Sequence, residues 1–124
     1  ELYFFEKENK YDKPHGLIRV NNKIYSVSHN SVDPKILIFN LDGKLSKVIR
    51  NKHIKDPVSI KFFNKNFFIC YNYNNSIIIL DVNFKIKNVI KNFFYYPMNI
   101  FFTKNQFIVC EEKSNRILSF KLNL

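Results

Sequence analysis

Three side chains that could do chemistry together recur at one place in this sequence: His29, Asn72 and Glu112. Each closes or nearly closes an apolar run, "IYSVSH", "FFICYN" and "FIVCEE", and successive members lie roughly 40 residues apart. An imidazole, an amide oxygen and a carboxylate can ligate a divalent cation if the fold gathers them. The same residue types also serve as turn formers that cap backbone groups at strand ends. One carboxylate is a thin anionic set for a hard cation. No catalytic residue is assigned, because no nucleophile constellation accompanies the three. His15, His29 and His53 fall in separate segments, and there is no HExxH or GxSxG pattern. With Gly16 and Gly43 the only glycines, phosphate-cradling loops are excluded, and no cofactor beyond that divalent cation is expected.

A second group could bind rather than react. "NFFYYP", Asn92 to Pro97, sets Phe93, Phe94, Tyr95 and Tyr96 in one loop, with Lys91 and Lys104 nearby. Aromatics beside lysines can grip a protein or peptide, or stack the bases of a nucleic acid. They can equally be filler between packed units. The corresponding stretch one repeat earlier, "KHIKDP", has no aromatic residue, which argues for a partner-binding surface over filler.

The elements that must position these residues form a repeat. Three units open on proline: "PHGLIRV" from Pro14, "PVSIKFF" from Pro57 and "PMNIFFT" from Pro97. A short polar turn and the apolar runs named above follow, then a third run: "KILIFNLD", "NSIIILDV" or "NRILSFKL". The segments are short, rich in Ile, Val, Phe and Tyr, and bounded by Asn, Asp, Gly or Lys, which is the strand pattern. The second and third runs are nearly continuous in apolar character, as in strands buried on both faces. Fourth segments, "LSKVIR" (Leu45 to Arg50) and "IKNVIK" (Ile86 to Lys91), are more polar and suit outer edges blunted by Lys.

Four strands per unit, more polar outward, is the grammar of a β-propeller blade. The expectation is one all-β domain over 1–124, with blades at about 14–50, 57–91 and 97–124. The last blade lacks its outer strand. Running the alignment from Leu124 into Glu1 sets Leu2 on Leu45 and Ile86, so residues 1–7 could supply it. Three blades do not close a ring. Either two copies form a six-bladed homodimer, or the chain is a segment of a longer propeller, which the absence of an initial Met favours.

Composition narrows the partners. The chain has 124 residues, 46% hydrophobic and 17% aromatic, enough for a packed core. A net charge of +10 can attract nucleic acid. The charge is nearly all Lys, with Arg only at 19, 50 and 116, whereas base recognition leans on Arg. RNA binding through a Lys-rich face therefore ranks below a protein or peptide partner. No apolar run approaches the ~20 residues of a membrane span. Cys70 and Cys110 hold one place in repeats two and three, where repeat one has Val27. Both are expected to be buried and free, leaning toward a reducing compartment such as the cytoplasm.

At these residues the sequence resembles the NHL and YVTN group of six-bladed-type β-propellers. "PHGLIRVNNKIYSVSHN" is similar to that family's Pro-x-Gly-Ile/Leu opening, and "EEKSNRILSFKL" to its acidic–loop–Asn-Arg-Ile stretch. "ILIFNLDGKLSKVI" resembles its third strand, Asp-Gly turn and fourth strand. The acidic residue that usually ends the second strand matches His29, Asn72 and Glu112, only the last being acidic. The resemblance implies an interaction module. It also implies two alternatives found among such propellers. One is a metal-dependent, lactonase-like hydrolase with His29, Asn72 and Glu112 at the axis; the other is RNA binding on a basic face.

Overall fold

Each repeat enters through a backbone conformation that its proline does not by itself require. Lys13, Asp56 and Tyr96 precede Pro14, Pro57 and Pro97, and all three take left-handed φ angles of 55°, 55° and 57°. Side-chain-bearing residues rarely sit there, and the ones before proline ordinarily prefer extended backbone. The exit of the second strand holds the entry in place. The His29 amide donates to the Lys13 carbonyl at 2.9 Å, and the Glu112 amide to the Tyr96 carbonyl at 3.0 Å.

The computed structural model describes residues 13–71 and 74–121. Among them eleven strands form three antiparallel sheets in sequence order. Blade 1 is β1 (Pro14–Val20), β2 (Lys23–Ser28), β3 (Lys35–Asn40) and β4 (Leu45–Ile49). Blade 2 is β5 (Pro57–Phe63), β6 (Asn66–Tyr71), β7 (Ser76–Leu80) and β8 (Ile86–Ile90). Blade 3 is β9 (Pro97–Phe102), β10 (Gln106–Glu111) and β11 (Ile117–Lys121). The fold is all-β. The outer strand expected from residues 1–7 lies outside the described residues, as does Asn72. No helix of the described residues is long and apolar enough to cross a membrane.

Register makes the repeat quantitative. Pro14 faces Ser28, Pro57 faces Tyr71 and Pro97 faces Glu111, so these three pairs are equivalent. Alternation along β6 then divides its side chains between two cores. Phe67, Ile69 and Tyr71 join the core shared with blade 1, which includes Val27, Ile36, Ile38 and Ile54. Phe68 and Cys70 join the core shared with blade 3, which includes Phe94, Ile100, Phe107 and Val109. Every residue of β6 and β7 is buried, as continuous apolar strands require. Burying one Ile or Phe side chain is worth about 1.5–3 kcal/mol, so blade 2 contributes most to cohesion.

Among the described residues, blade 3 packs on one side only. Phe107 and Val109 face blade 2 and are buried, whereas Phe101, Cys110 and Ile117 are exposed on the opposite flank. This corrects the expectation that both cysteines are buried. Cys70 is covered by blade 3, while Cys110, its equivalent, has no blade against it among the described residues.

Where inner strands meet, the spacing is tight. β1 packs on β5, and a Cβ on Gly16 would lie 3.1 Å from the Ile60 nitrogen and 3.2 Å from the Ser59 Cα. Gly16 also has φ +63°, so both backbone shape and space call for glycine. The β3–β4 and β7–β8 turns solve one problem differently. Gly43 takes φ 86° in the first, and Phe84 takes 62° at the equivalent place in the second. Stacking of the Phe84 ring on Phe67, 5.1 Å between centroids, offsets the strain of that φ.

Candidate functional site

The rim that carries the second-strand exits also carries the loops joining one blade to the next. His29 leaves β2 and stacks on His15, with ring centroids 4.6 Å apart. Its Nδ1 lies 2.9 Å from Asp56 Oδ1, an ion-pair distance without hydrogen-bond alignment. Asp56 is the residue before Pro57, so the contact ties blade 1 to the entry of blade 2. The His15 ring is pushed below the ordinary histidine value by loss of solvent and by the charge of His29, against the opposing pull of Asp56.

His29 is therefore engaged with His15 and Asp56, and no hydrogen bond or ion pair joins it to Glu112 among the described residues. Glu112 is exposed at the end of β10. Among the described residues no three His, Cys, Asp or Glu side chains gather as a metal site would need. His15 and Asp56 were not singled out from sequence. The signal was there, since both flank the recurring proline.

The buried carboxylate of the rim is Glu111, not Glu112. The Glu111 side chain is fully withdrawn from solvent and accepts Arg116 Nε at 2.8 Å and Nη2 at 3.3 Å. Ser114 Oγ donates to it at 3.0 Å, and so does the Tyr95 amide. Burial pushes this carboxyl up, and the bonds from Arg116, Tyr95 and Ser114 outweigh it, holding Glu111 below the usual carboxylate range. The acidic residue that the Asn-Arg-Ile stretch serves is thus the last residue of β10, one place earlier than the sequence reading put it.

The aromatic loop between β8 and β9 splits into anchor and display. Phe94 is buried between blades 2 and 3, 5.3 Å from the Phe120 ring, and so cannot touch a partner. Ile54 fills the equivalent place one repeat earlier, which is why "KHIKDP" needs no aromatic. Phe93 and Tyr95 stay 61% and 49% exposed. Tyr96 is half-buried, its amide donates to Asn75 Oδ1 at 2.8 Å, and Lys113 Nζ stands 4.7 Å from its ring centre. Lys91 is exposed where β8 ends. Lys104 does not belong to this patch. It sits in the turn beyond β9, and six residues of strand put it roughly 20 Å away, on the opposite rim.

No protein-family model matches the sequence, and no curated protein matches it. Solved structures do match the fold, and they are β-propeller proteins. A chain of the nidogen/laminin complex superposes with a TM-score of 0.77 at 16% identity, covering 89% of this chain and 43% of that one. A streptogramin B lyase gives 0.65 at 13%, covering 97% of this chain and 44% of the lyase. The computationally designed Ika8 protein gives 0.65 at 10%, covering 87% and 33%. This chain spans less than half the length of each. The fold it defines is that of β-propeller blades.

Proposed function

We propose that the chain is a non-catalytic interaction module of the NHL and YVTN propeller type, binding a protein or peptide partner through the β8–β9 loop. The observation that carries this reading is the display of Phe93 and Tyr95 on a loop pinned on both sides. Phe94 anchors it in the core, Glu111 takes the Tyr95 amide, and Asn75 takes the Tyr96 amide. An exposed aromatic on an ordered backbone binds without the entropy cost of ordering the loop. Large rigid aromatics are also the side chains that most often dominate interface energetics. A similar structure is that of a complex of two proteins, nidogen/laminin, which supports a partner-binding role. We read the three blades as part of a larger ring, completed by further blades or by a second copy.

The test is selection of a displayed peptide library against the chain. Selected peptides should lose binding to Phe93→Ala and Tyr95→Ala, and keep it to Lys104→Gln on the opposite rim. Peptides that bind both aromatic variants as tightly as the parent would refute this surface.

A further inference from the structure

The loops that join successive blades place different residues on the rim. Between blades 2 and 3, Phe93 turns one edge toward Phe120, at 6.4 Å, while staying largely exposed, and Arg116 extends from the start of the third strand to Glu111. Beside the loop between blades 1 and 2 lies an open cleft, with a volume of about 600 Å³. That size is in the range of small-molecule sites.

The difference comes from three substitutions within the repeat. His53 stands where the next loop has Phe93, and Lys55 where it has Tyr95. Ser76, opposite Tyr71 in register, stands where blade 1 has Lys35 and blade 3 has Arg116. Those two long cations are both paired, Lys35 with Asp33 at 2.8 Å and Arg116 with Glu111. In blade 2 a short, uncharged serine stands in their place. Ser76 is 1% exposed, and its hydroxyl has no hydrogen-bond partner among the described residues. A buried hydroxyl without a partner costs free energy unless something else satisfies it.

The charge of this cleft is one-sided. Lys52, His53, Lys55 and Lys91 line it, and no Asp or Glu is among the lining residues. The β4–β5 loop holds its basic residues in a fixed arrangement. Ile54 is buried between them, and Asn51 accepts the His53 amide through Oδ1 at 2.9 Å. The rest of the wall is apolar, from Ile78, Ile86 and Val89.

We propose that this cleft binds an organic phosphate, its anionic group held by the lysines and the Ser76 hydroxyl and its carbon skeleton against the apolar wall. Lysine acts as a point charge, so several together suit a multiply charged tetrahedral group. A planar carboxylate would be matched better by an arginine fork, which the cleft lacks. This site adjoins the Phe93 and Tyr95 surface at Lys91, and Lys52 and Lys55, which belong to the cleft alone, let either fail without the other.

Phenyl phosphate titrated into the isotopically labelled chain, followed by amide NMR, tests it. The expected result is saturable shifts confined to Lys52–Lys55, Ser76 and Lys91. The double variant Lys52→Gln with Lys55→Gln should weaken binding about tenfold. Ser76→Val, well suited to a strand, should weaken it measurably while keeping the melting temperature. Lys104→Gln should bind like the parent. Shifts spread over the whole basic surface, or equal weakening by Lys104→Gln, would overturn the site. Inorganic phosphate binding as tightly as phenyl phosphate would mean an adventitious ion only, and would overturn it too.

Discussion

Phe94 and Ile54 do the same work one repeat apart. Each stands three residues before its blade's proline, and each is withdrawn from solvent, at 5% and 3% exposure. An inter-blade loop in this chain is therefore a tether with one apolar peg, and the residues beside the peg are free to vary. In the β4–β5 loop they are Lys52, His53 and Lys55; in the β8–β9 loop they are Phe93 and Tyr95.

The peg and its neighbours should separate cleanly in mutagenesis. Phe94→Ala should cost about 3–5 kcal/mol and Ile54→Ala about 2–5 kcal/mol, since each leaves a cavity between blades. Phe93→Ala should stay within about 0.5 kcal/mol, as exposed positions usually do. Urea unfolding curves measure all three. Equal losses for Phe93→Ala and Phe94→Ala would contradict the division of the loop into anchor and display.

Gly16→Ala should destabilise more than Gly43→Ala. Both positions have left-handed φ, which costs roughly 1–2 kcal/mol for an ordinary residue. At Gly16 the new methyl also meets the backbone of β5 at 3.1–3.2 Å. The turn at Gly43 has a counterpart that already bears Phe84. Thermal melts of the two variants decide it, and a Gly43→Ala loss equal to that of Gly16→Ala would disprove the close approach of blades 1 and 2.

Much of this architecture was legible because strand runs of Ile, Val and Phe between Asn and Lys turns report their own boundaries. Three repeats then vote on each one. Pro14, Pro57 and Pro97 open β1, β5 and β9, just where the repeat put them. Three things were not legible. Which of the adjacent Glu111 and Glu112 is buried depends on strand register, and a one-residue slip reverses the face. Whether an aromatic is peg or display depends on the same kind of parity, so Phe94 could not be told from Phe93. The burial of Cys70 and exposure of Cys110 depend on what lies beyond blade 3, which no residue at either position encodes.

Acid should destabilise the fold in two steps of one sign. Glu111 is held below its ordinary value of 4.5, so the unfolded chain takes up a proton first as pH falls. Its contribution is complete above that value and is lost as pH drops through the lowered folded value. His15 is likewise lowered from 6.5, and its contribution is present above 6.5 and fades below it. Glu111→Gln should flatten the lower limb of melting temperature against pH. Asp56→Asn, which removes the charge opposing the shift, should move the His15 NMR titration to still lower pH. An unchanged titration would show that Asp56 does not act on His15.

The thiols give the sharpest test of which flank is open. Burial pushes Cys70 up to about 12, so it is neither accessible nor ionised near neutral pH. Cys110 is exposed, its thiol approaching the Asn99 carbonyl at 3.7 Å. An aromatic disulfide reagent should therefore label one thiol quickly and the other only at the rate of unfolding. Cys110→Ser should remove the fast phase, and Cys70→Ser should leave it. Two fast phases in the parent chain would mean that blade 3 does not stay packed on blade 2. The fast phase also reports on the apolar flank that Phe101 and Ile117 share with Cys110, since exposed apolar area of this kind favours association. If copies of the chain cover that flank, labelling of Cys110 should slow as protein concentration rises, and Ile117→Lys should restore the dilute rate. Light scattering on the same samples should then show the mass rising with concentration in the parent and constant in Ile117→Lys. A rate and a mass that both ignore concentration would show that a second copy does not cover this face.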